Sequence, residues 1–403
     1  MSPALAPFQV RSYRFQWPAD LATSIGFEME ALILGWYVLN ATGSVEWLVA
    51  FSALPWIGAI LAPFLGVAGD RFGLRTLLCM SRAGYAMLAA TTTALTFTGA
   101  LTPVQVFVLY GITGLMRPSD QAMRNVLIAQ TVAPDTLMGA LGISRSTADM
   151  AKVLGSLAGA SGVAMIGMAP AYVVVTLLYG SAFLLSLGVA RPPPHAAHSS
   201  AHDVFAGLKD ATRYVWAKPD LFGAFAIAFL TNLLAFPFVL GLLPYAAKEV
   251  YHVGQEGLGY LAAAFALGAL AGSIFVGANR RALRAGRVML WSCALWFVAV
   301  FFLGLTRSFA LGFALLFFSG FVQSLCLTPL AAVMLRGSSI EMRARVMGMR
   351  VLAVWGLPLG LLASGPIIQH LGFAACTVLY GALGLAATVA VGYRCRDALW
   401  RPR

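Results

Sequence analysis

RPPPHAAHSSAHDVFAGLKDATRYVWAKP, residues 191–219, is the longest interruption in an otherwise apolar chain, with 190 residues before it and 184 after it. Outward from it towards the N-terminus, apolar runs fall at 18–41, 45–67, 76–98, 103–124, 138–163 and 171–190. Towards the C-terminus they fall at 220–246, 257–278, 287–306, 309–333, 346–368 and 373–392. A helix needs about 20 apolar residues to cross the hydrocarbon core, so each run is long enough for one crossing. Twelve crossings of about 21 residues use roughly 252 of the 403 positions. The expected fold is an all-α polytopic membrane protein with twelve transmembrane helices in two six-helix bundles, 1–190 and 220–403, joined by the 191–219 linker.

Composition agrees. Sixty per cent of residues are apolar and 10% charged, with mean hydropathy +0.82, whereas a soluble domain carries about 25% charged residues. A soluble enzyme with one anchor is excluded. An outer-membrane barrel is excluded too, because its strands alternate polar and apolar residues. The 27 Lys and Arg against 15 Asp and Glu give a net charge of +12. With the N-terminus inside, 22 of those 27 fall in cytoplasmic tails, loops and helix ends. Lys248 and Arg307 fall outside, while Arg117, Arg145 and Lys152 lie within spans. This asymmetry predicts cytoplasmic termini and a lipid bilayer, not nucleic acid, as the partner of the positive charge.

The five cysteines are odd in number and form no Cys-x-x-Cys pair, so neither a disulfide framework nor a zinc site is expected. The first 16 residues hold Arg11 and Arg14 but no apolar core, so no cleavable signal peptide is expected. Within the linker, Arg191 to Ser200 reads as a flexible segment. Val204, Phe205, Leu208, Ala211 and Val215 recur near helical spacing, which predicts a helix on the inner membrane surface. His195, His198 and His202 have spacings that would align on a helix, but the prolines and small residues around them favour linker over metal tract.

GVAGDRFGLR, residues 66–75, resembles the loop signature of the major facilitator superfamily, Gly-x-x-x-Asp-Arg-x-Gly followed by basic residues. Two six-span halves also match a transporter built from parallel repeats. The repeat is faint in the residues themselves: GSLAG at 155–159 is echoed by GLPLG at 356–360. The resemblance implies that Gly66, Asp70, Arg71, Gly73 and Arg75 form a latch that holds the halves outward-open. Leu74 departs from the usual basic residue. A second stretch, DQAMRNVLIAQTVAPDTLMGALGISRSTADMAKVLGSLAGASGVAM at 120–165, is similar to the branch that includes the enterobactin exporter and the macrolide efflux proteins. Asp149, Lys152 and Ser156 stand where that branch often has Asn, Arg and Pro. The first span, 24–44, also fits the branch, with Phe27 at a position that is often acidic.

Ionisable residues inside a bilayer are costly and usually functional. Glu28 and Glu30 lie near the centre of the first span, roughly 200° apart on a helix, so they cannot share a face. One is expected to face the cavity and the other to pack against a neighbouring helix. A desolvated carboxyl holds its proton closer to neutral pH, which a reversible proton carrier requires. In the fourth span Arg117, Asp120, Gln121 and Arg124 line one face, and in the fifth Arg145, Asp149 and Lys152 do the same. Two readings stay open: a static ion-pair zipper between these spans, or Asp149 exchanging partners among Lys152, Arg117 and a proton. The second half carries its acids in loops, its tail or span ends. Its spans offer Asn232, Gln323, aromatic residues such as Trp355, and bends at Pro237, Pro244 and Pro358.

The expected protein is a secondary exporter of the bacterial inner membrane, a monomer driven by the proton gradient and without a cofactor. The aromatic second half suits an amphipathic substrate such as a drug or siderophore, with Tyr37, Asn232, Gln323 and Trp355 as contacts; export follows from the branch resemblance. Glu28, Glu30 and Asp149 are the proton-coupling candidates, and Arg117, Asp120, Arg145 and Lys152 the cavity charges. An importer or lipid flippase on the same fold, or a non-transporting receptor or scaffold, are the alternatives. An enzyme is not expected, since all five His fall in loops or at a span end. ATP drive is not expected either, because no phosphate-binding G-x-x-x-x-G-K-[ST] occurs.

Overall fold

The computed structural model describes residues 3–58, 73–132, 134–190, 210–278, 284–339 and 342–400. Gly66, Asp70 and Arg71 of the expected latch, and His195, His198 and His202 of the linker, lie outside the described residues. The first half forms α1 (Arg11–Thr42), α2 (Val45–Ile57), α3 (Leu74–Phe97), α4 (Pro103–Thr131), α5 (Pro134–Ile166) and α6 (Met168–Ser186). The second forms α7 (Pro219–Leu234), α8 (Gln255–Ala278), α9 (Ala285–Leu303), α10 (Phe309–Gly337), α11 (Arg343–Leu352) and α12 (Gly356–Arg394), with shorter turns between them. No strand occurs among the described residues.

Two compact units emerge: Met1–Thr42 with Leu54–Ala201, and Gly43–Ala53 with His202–Arg403. The start of α2 therefore packs in the second unit, where the Ser52 hydroxyl donates to the Gly241 carbonyl at 3.4 Å. Among the described residues six helices are long and apolar enough to cross a membrane. A seventh is gained if Asp210–Ala217 and α7, bent by 109°, count as one span. Five of the six lie in the second half. In the first half α1, α4 and α5 each hold at least three charged residues, which lowers their apolarity.

Local chemistry sets the breaks. Pro219 disfavours helical conformation at the residue before it, and Lys218 is extended (φ −115°, ψ 113°), so the linker helix ends there. The Lys218 ammonium donates to the Tyr214 hydroxyl (2.7 Å) and to the Gly337 carbonyl (2.9 Å), pinning the linker helix to the end of α10. That hydrogen bond holds the Tyr214 phenol below its ordinary pKa. Beyond α7 the chain breaks into Pro237–Leu240, Leu243–Tyr245 and a π-turn at Ala246–Val250, where Pro237 and Pro244 each open a short helix. Pro358 falls in the first turn of α12, where a missing N–H costs nothing.

Two glycines reveal the internal repeat. Gly167 separates α5 from α6 at φ 85°, and Gly372 bends α12 at the same φ. Only glycine takes that conformation without strain. Their surroundings match, Ile-Gly-Met-Ala at 166–169 and Leu-Gly-Phe-Ala at 371–374. The offset, 372 less 167, is 205 residues, which pairs Gly155 with Gly360 rather than with Gly356. The echo between GSLAG and GLPLG is thus displaced by about one helical turn. Each glycine of this kind seats a close helix crossing. A Cβ on Gly155 would lie 2.7 Å from Glu28 Cβ and 2.9 Å from the Ile25 carbonyl; one on Gly159 would lie 3.0 Å from Met29 Cα. A Cβ on Gly356 would lie 2.8 Å from the Phe229 carbonyl of α7.

Because the obstacle at Gly155 is partly α1 backbone, Gly155→Leu should force α5 away from α1. Overpacking of this kind costs about 1–3 kcal/mol. The thermal midpoint of the detergent-purified variant should fall clearly below wild type; an unchanged midpoint would show that α1 and α5 do not approach this closely.

Candidate functional site

The polar side chains of the first unit gather where α1 meets its neighbours. Asp20 of α1, Arg82 of α3, and Asp120 and Arg124 of α4 form one cluster. The Arg82 side chain is wholly buried, pairs with Asp20, and holds its Nε 3.7 Å from Asp120 Oδ1. Its Nη1 donates to Ser186 Oγ of α6 at 2.5 Å. Arg124 Nη2 lies 2.5 Å from Asp120 Oδ2, one turn back on α4, and its Nε lies 3.5 Å from Asp20 Oδ1. Arg124 Nη1 donates to Ser24 Oγ at 3.0 Å, and the Arg124 carbonyl accepts from Gln16 Nε2 at 3.0 Å. Two carboxylates and two guanidinium groups make the cluster neutral, which is the condition for keeping charge away from water.

Further along α1 the two glutamates have different fates. Glu30 is buried and accepts from both phenols of α6, Tyr172 at 2.6 Å and Tyr179 at 2.7 Å. Glu28 pairs with Arg117 of α4 at 3.6 Å, and the two side chains stay 26% and 29% exposed. The Arg117 guanidinium also sits over the Phe27 ring, 4.6 Å from its centroid, a favourable cation–π contact. Phe27, Tyr85 and Tyr179 pack ring against ring at 5.1–5.6 Å between the Glu28 and Glu30 sites.

The third arrangement lies on α5. Asp149 is buried and is flanked on its own helix by Arg145 Nε at 3.4 Å and Lys152 Nζ at 3.5 Å. Those cations are 68% and 40% exposed. Charged groups avoid lipid, so this face of α5 is one that meets water.

The pairing of Asp149 with Lys152 within α5 is present, as is Asp120 with Arg124 within α4, but the expected pairing between α4 and α5 is not. Among the described residues no ion pair joins α4 to α5. The α4 charges pair with α1 and α3, and Arg117 meets Glu28 instead of Asp149. The Gln121 side chain lies outside the described residues. Gly73 starts α3 at φ 84°, and Arg75 in its first turn donates to the Leu187 carbonyl. Tyr37 donates to the Leu101 carbonyl at 2.6 Å, and Asn232 donates to the Ala228 carbonyl at 2.8 Å. Gln323 is buried in α10, and Trp355 is half-buried in the turn before α12. Asp20, Arg82, Tyr172 and Tyr179 were not anticipated. Arg82, counted among the helix-end cations, lies eight residues inside α3 and is fully buried.

A family profile described as transmembrane secretion effector matches residues 2–401. Among curated proteins the chain is similar to the enterobactin exporter EntS of Shigella boydii serotype 4 (strain Sb227). The two are 27% identical over 295 residues, which cover 69% of this chain and 66% of that exporter. Against EntS of Escherichia coli O1:K1 / APEC it is 30% identical over 199 residues, 48% of this chain and 45% of the relative. The match thus spans less than two thirds of the length of these relatives. Among solved structures it resembles a bacterial homologue of the human lysosomal transporter Spinster, inward-facing and unoccupied, with TM-score 0.74, 14% identity, and 97% of this chain and 99% of that one covered. The nucleoside transporter NupG gives TM-score 0.70 at 15% identity, with both chains covered completely. At these identities the likeness is one of fold.

The neutral cluster yields a test. Arg82→Ala leaves Asp20 and Asp120 sharing Arg124 alone, and removing one partner of a buried pair costs about 3–5 kcal/mol. The variant should show a strongly lowered thermal midpoint, with most of the loss recovered in Arg82→Gln/Asp20→Asn. A wild-type midpoint for Arg82→Ala would show that the cluster does not hold α3 to α1 and α4.

Proposed function

The chain belongs to the transmembrane secretion effector family of major facilitators, and from that premise we propose that it exports an amphipathic small molecule in exchange for protons, by alternating access. At the family level it is a multi-pass membrane transporter and not an enzyme. The proposal adds twelve spans with cytoplasmic ends, the bacterial inner membrane as location, and a siderophore or drug-like solute. The curated relatives, exporters of the siderophore enterobactin, support the direction and the solute class.

The observation that carries coupling is the Glu28–Arg117 pair. It is a carboxylate–guanidinium pair within the helices, 3.6 Å apart, in which both members keep over a quarter of their side chain accessible. A proton carrier must exchange with water and must change something when it does so. Protonating Glu28 removes the partner of Arg117 and leaves that cation on the Phe27 ring; deprotonation restores the pair across α1 and α4. Glu30, fixed by two phenols, is the less accessible carrier, and Asp149, between two accessible cations, is the second candidate. Substrate contact is assigned to half-buried Tyr37, Asn232 and Trp355, with Gln323, buried in α10, as the fourth candidate.

In everted vesicles with an acidic interior, wild type should accumulate an amphipathic fluorescent dye against its gradient. Glu28→Gln should still bind the dye but lose accumulation, since an amide neither gives nor takes the driving proton. Glu30→Gln should retain most of it. If Glu28→Gln accumulates dye as well as wild type, the first helix does not carry the proton at this position.

A further inference from the structure

A cavity of about 250 Å³ lies between α3 and α6 within the first unit, lined by Arg75, Thr76, Cys79, Met80, Phe183 and Leu187 among others. Its two ends differ in chemistry. At one end Arg75 stands in the first turn of α3, beside the end of α6, and its Nη2 donates to the Leu187 carbonyl at 2.5 Å. Its Nε is buried and has no hydrogen-bond partner among the described residues, nor is Arg75 ion-paired with a described carboxylate. Among the described residues the guanidinium is thus held in place with charge and a donor unmet.

The other flank is apolar and open. Met80 is 63% exposed, Leu184 65% and Leu187 48%, and Met87 and Leu177 continue the exposed apolar face. In a membrane protein such a face lies against lipid tails. A cation at the helix end followed by an apolar flank repeats the order of groups in a phospholipid. Arginine's planar fork suits phosphate oxygens, and basic pockets between transmembrane helices take anionic headgroups. A free anion would gain nothing from the apolar flank. A zwitterionic lipid would bring a second cation towards Arg75.

We propose that this groove holds one anionic phospholipid, with its phosphate on Arg75 and Thr76 and an acyl chain along Met80 and Phe183. The thiol of Cys79 reports on occupancy, because it is half-buried in the groove wall while Cys293, Cys326, Cys376 and Cys395 are buried elsewhere.

The full chain reconstituted in phosphatidylglycerol nanodiscs should react with N-ethylmaleimide at Cys79 at least about fivefold more slowly than in phosphatidylcholine, the factor expected from one interfacial cation. Arg75→Gln should abolish that difference and Arg75→Lys should keep most of it. Should Arg75→Gln fail to fold, native mass spectrometry of wild type is expected to find one phosphatidylglycerol retained in preference to phosphatidylcholine. Equal rates in the two lipids, protection that survives Arg75→Gln, protection by inorganic phosphate alone in detergent, or no lipid preference in the spectrum would each overturn the assignment.

Discussion

A bilayer core supplies no counter-charge, so an ion placed among transmembrane helices must find its partner on the protein. The cluster of Asp20, Arg82, Asp120 and Arg124 meets that demand with two charges of each sign, drawn from three helices and tied to a fourth through Ser186. The rest of the first unit is arranged along the same helix. Glu28 is eight residues beyond Asp20 on α1, about 12 Å along the axis, and Glu30 is two residues further. Each reaches a different neighbour: Arg117 on α4 for Glu28, Tyr172 and Tyr179 on α6 for Glu30. α1 is the element to which the others are referenced.

These sites differ in what they can do. The aspartate–arginine cluster is closed and neutral, and the Glu30 site is closed and held by phenols. Glu28 and Arg117 remain open, and Glu28 Cβ lies against Gly155 of α5. A change of charge at Glu28 is therefore made where α1, α4 and α5 are all in contact. Under the proposed function, the closed sites fix the bundle and the open one exchanges.

Much of the fold could be read from the sequence because the bilayer imposes a length and a polarity on every crossing. The apolar runs coincide with the long helices, although among the described residues only six are long and apolar enough to cross a membrane, and Pro237 and Pro244 mark the breaks after α7. Partners were harder to read. Helical spacing says which residues share a face but not which helix lies opposite, so an α4–α5 ion-pair zipper was one of the two open readings while the interhelical ion pairs of α4 run to α1 and α3. Arg82 looked like one more cation at a cytoplasmic helix end, since the positive-inside pattern leaves such a residue unremarked. Tyr172 and Tyr179 looked like ordinary aromatic residues of an apolar span; their spacing of seven, two helical turns, was the available signal. The repeat was visible in the pentapeptides but in a register one turn out, because the backbone conformation of Gly167 and Gly372 sets the register and sequence does not print φ.

The central claim, which rests on the proposed function, is that Glu28 is the carboxyl whose proton exchange drives transport. Infrared difference spectroscopy of the purified protein across a pH titration tests it directly. Beside the bands of exposed acids such as Asp210 and Glu249, wild type should show a pH-dependent carboxyl band that is missing in Glu28→Gln. A pH difference spectrum that is the same in Glu28→Gln as in wild type would contradict the account.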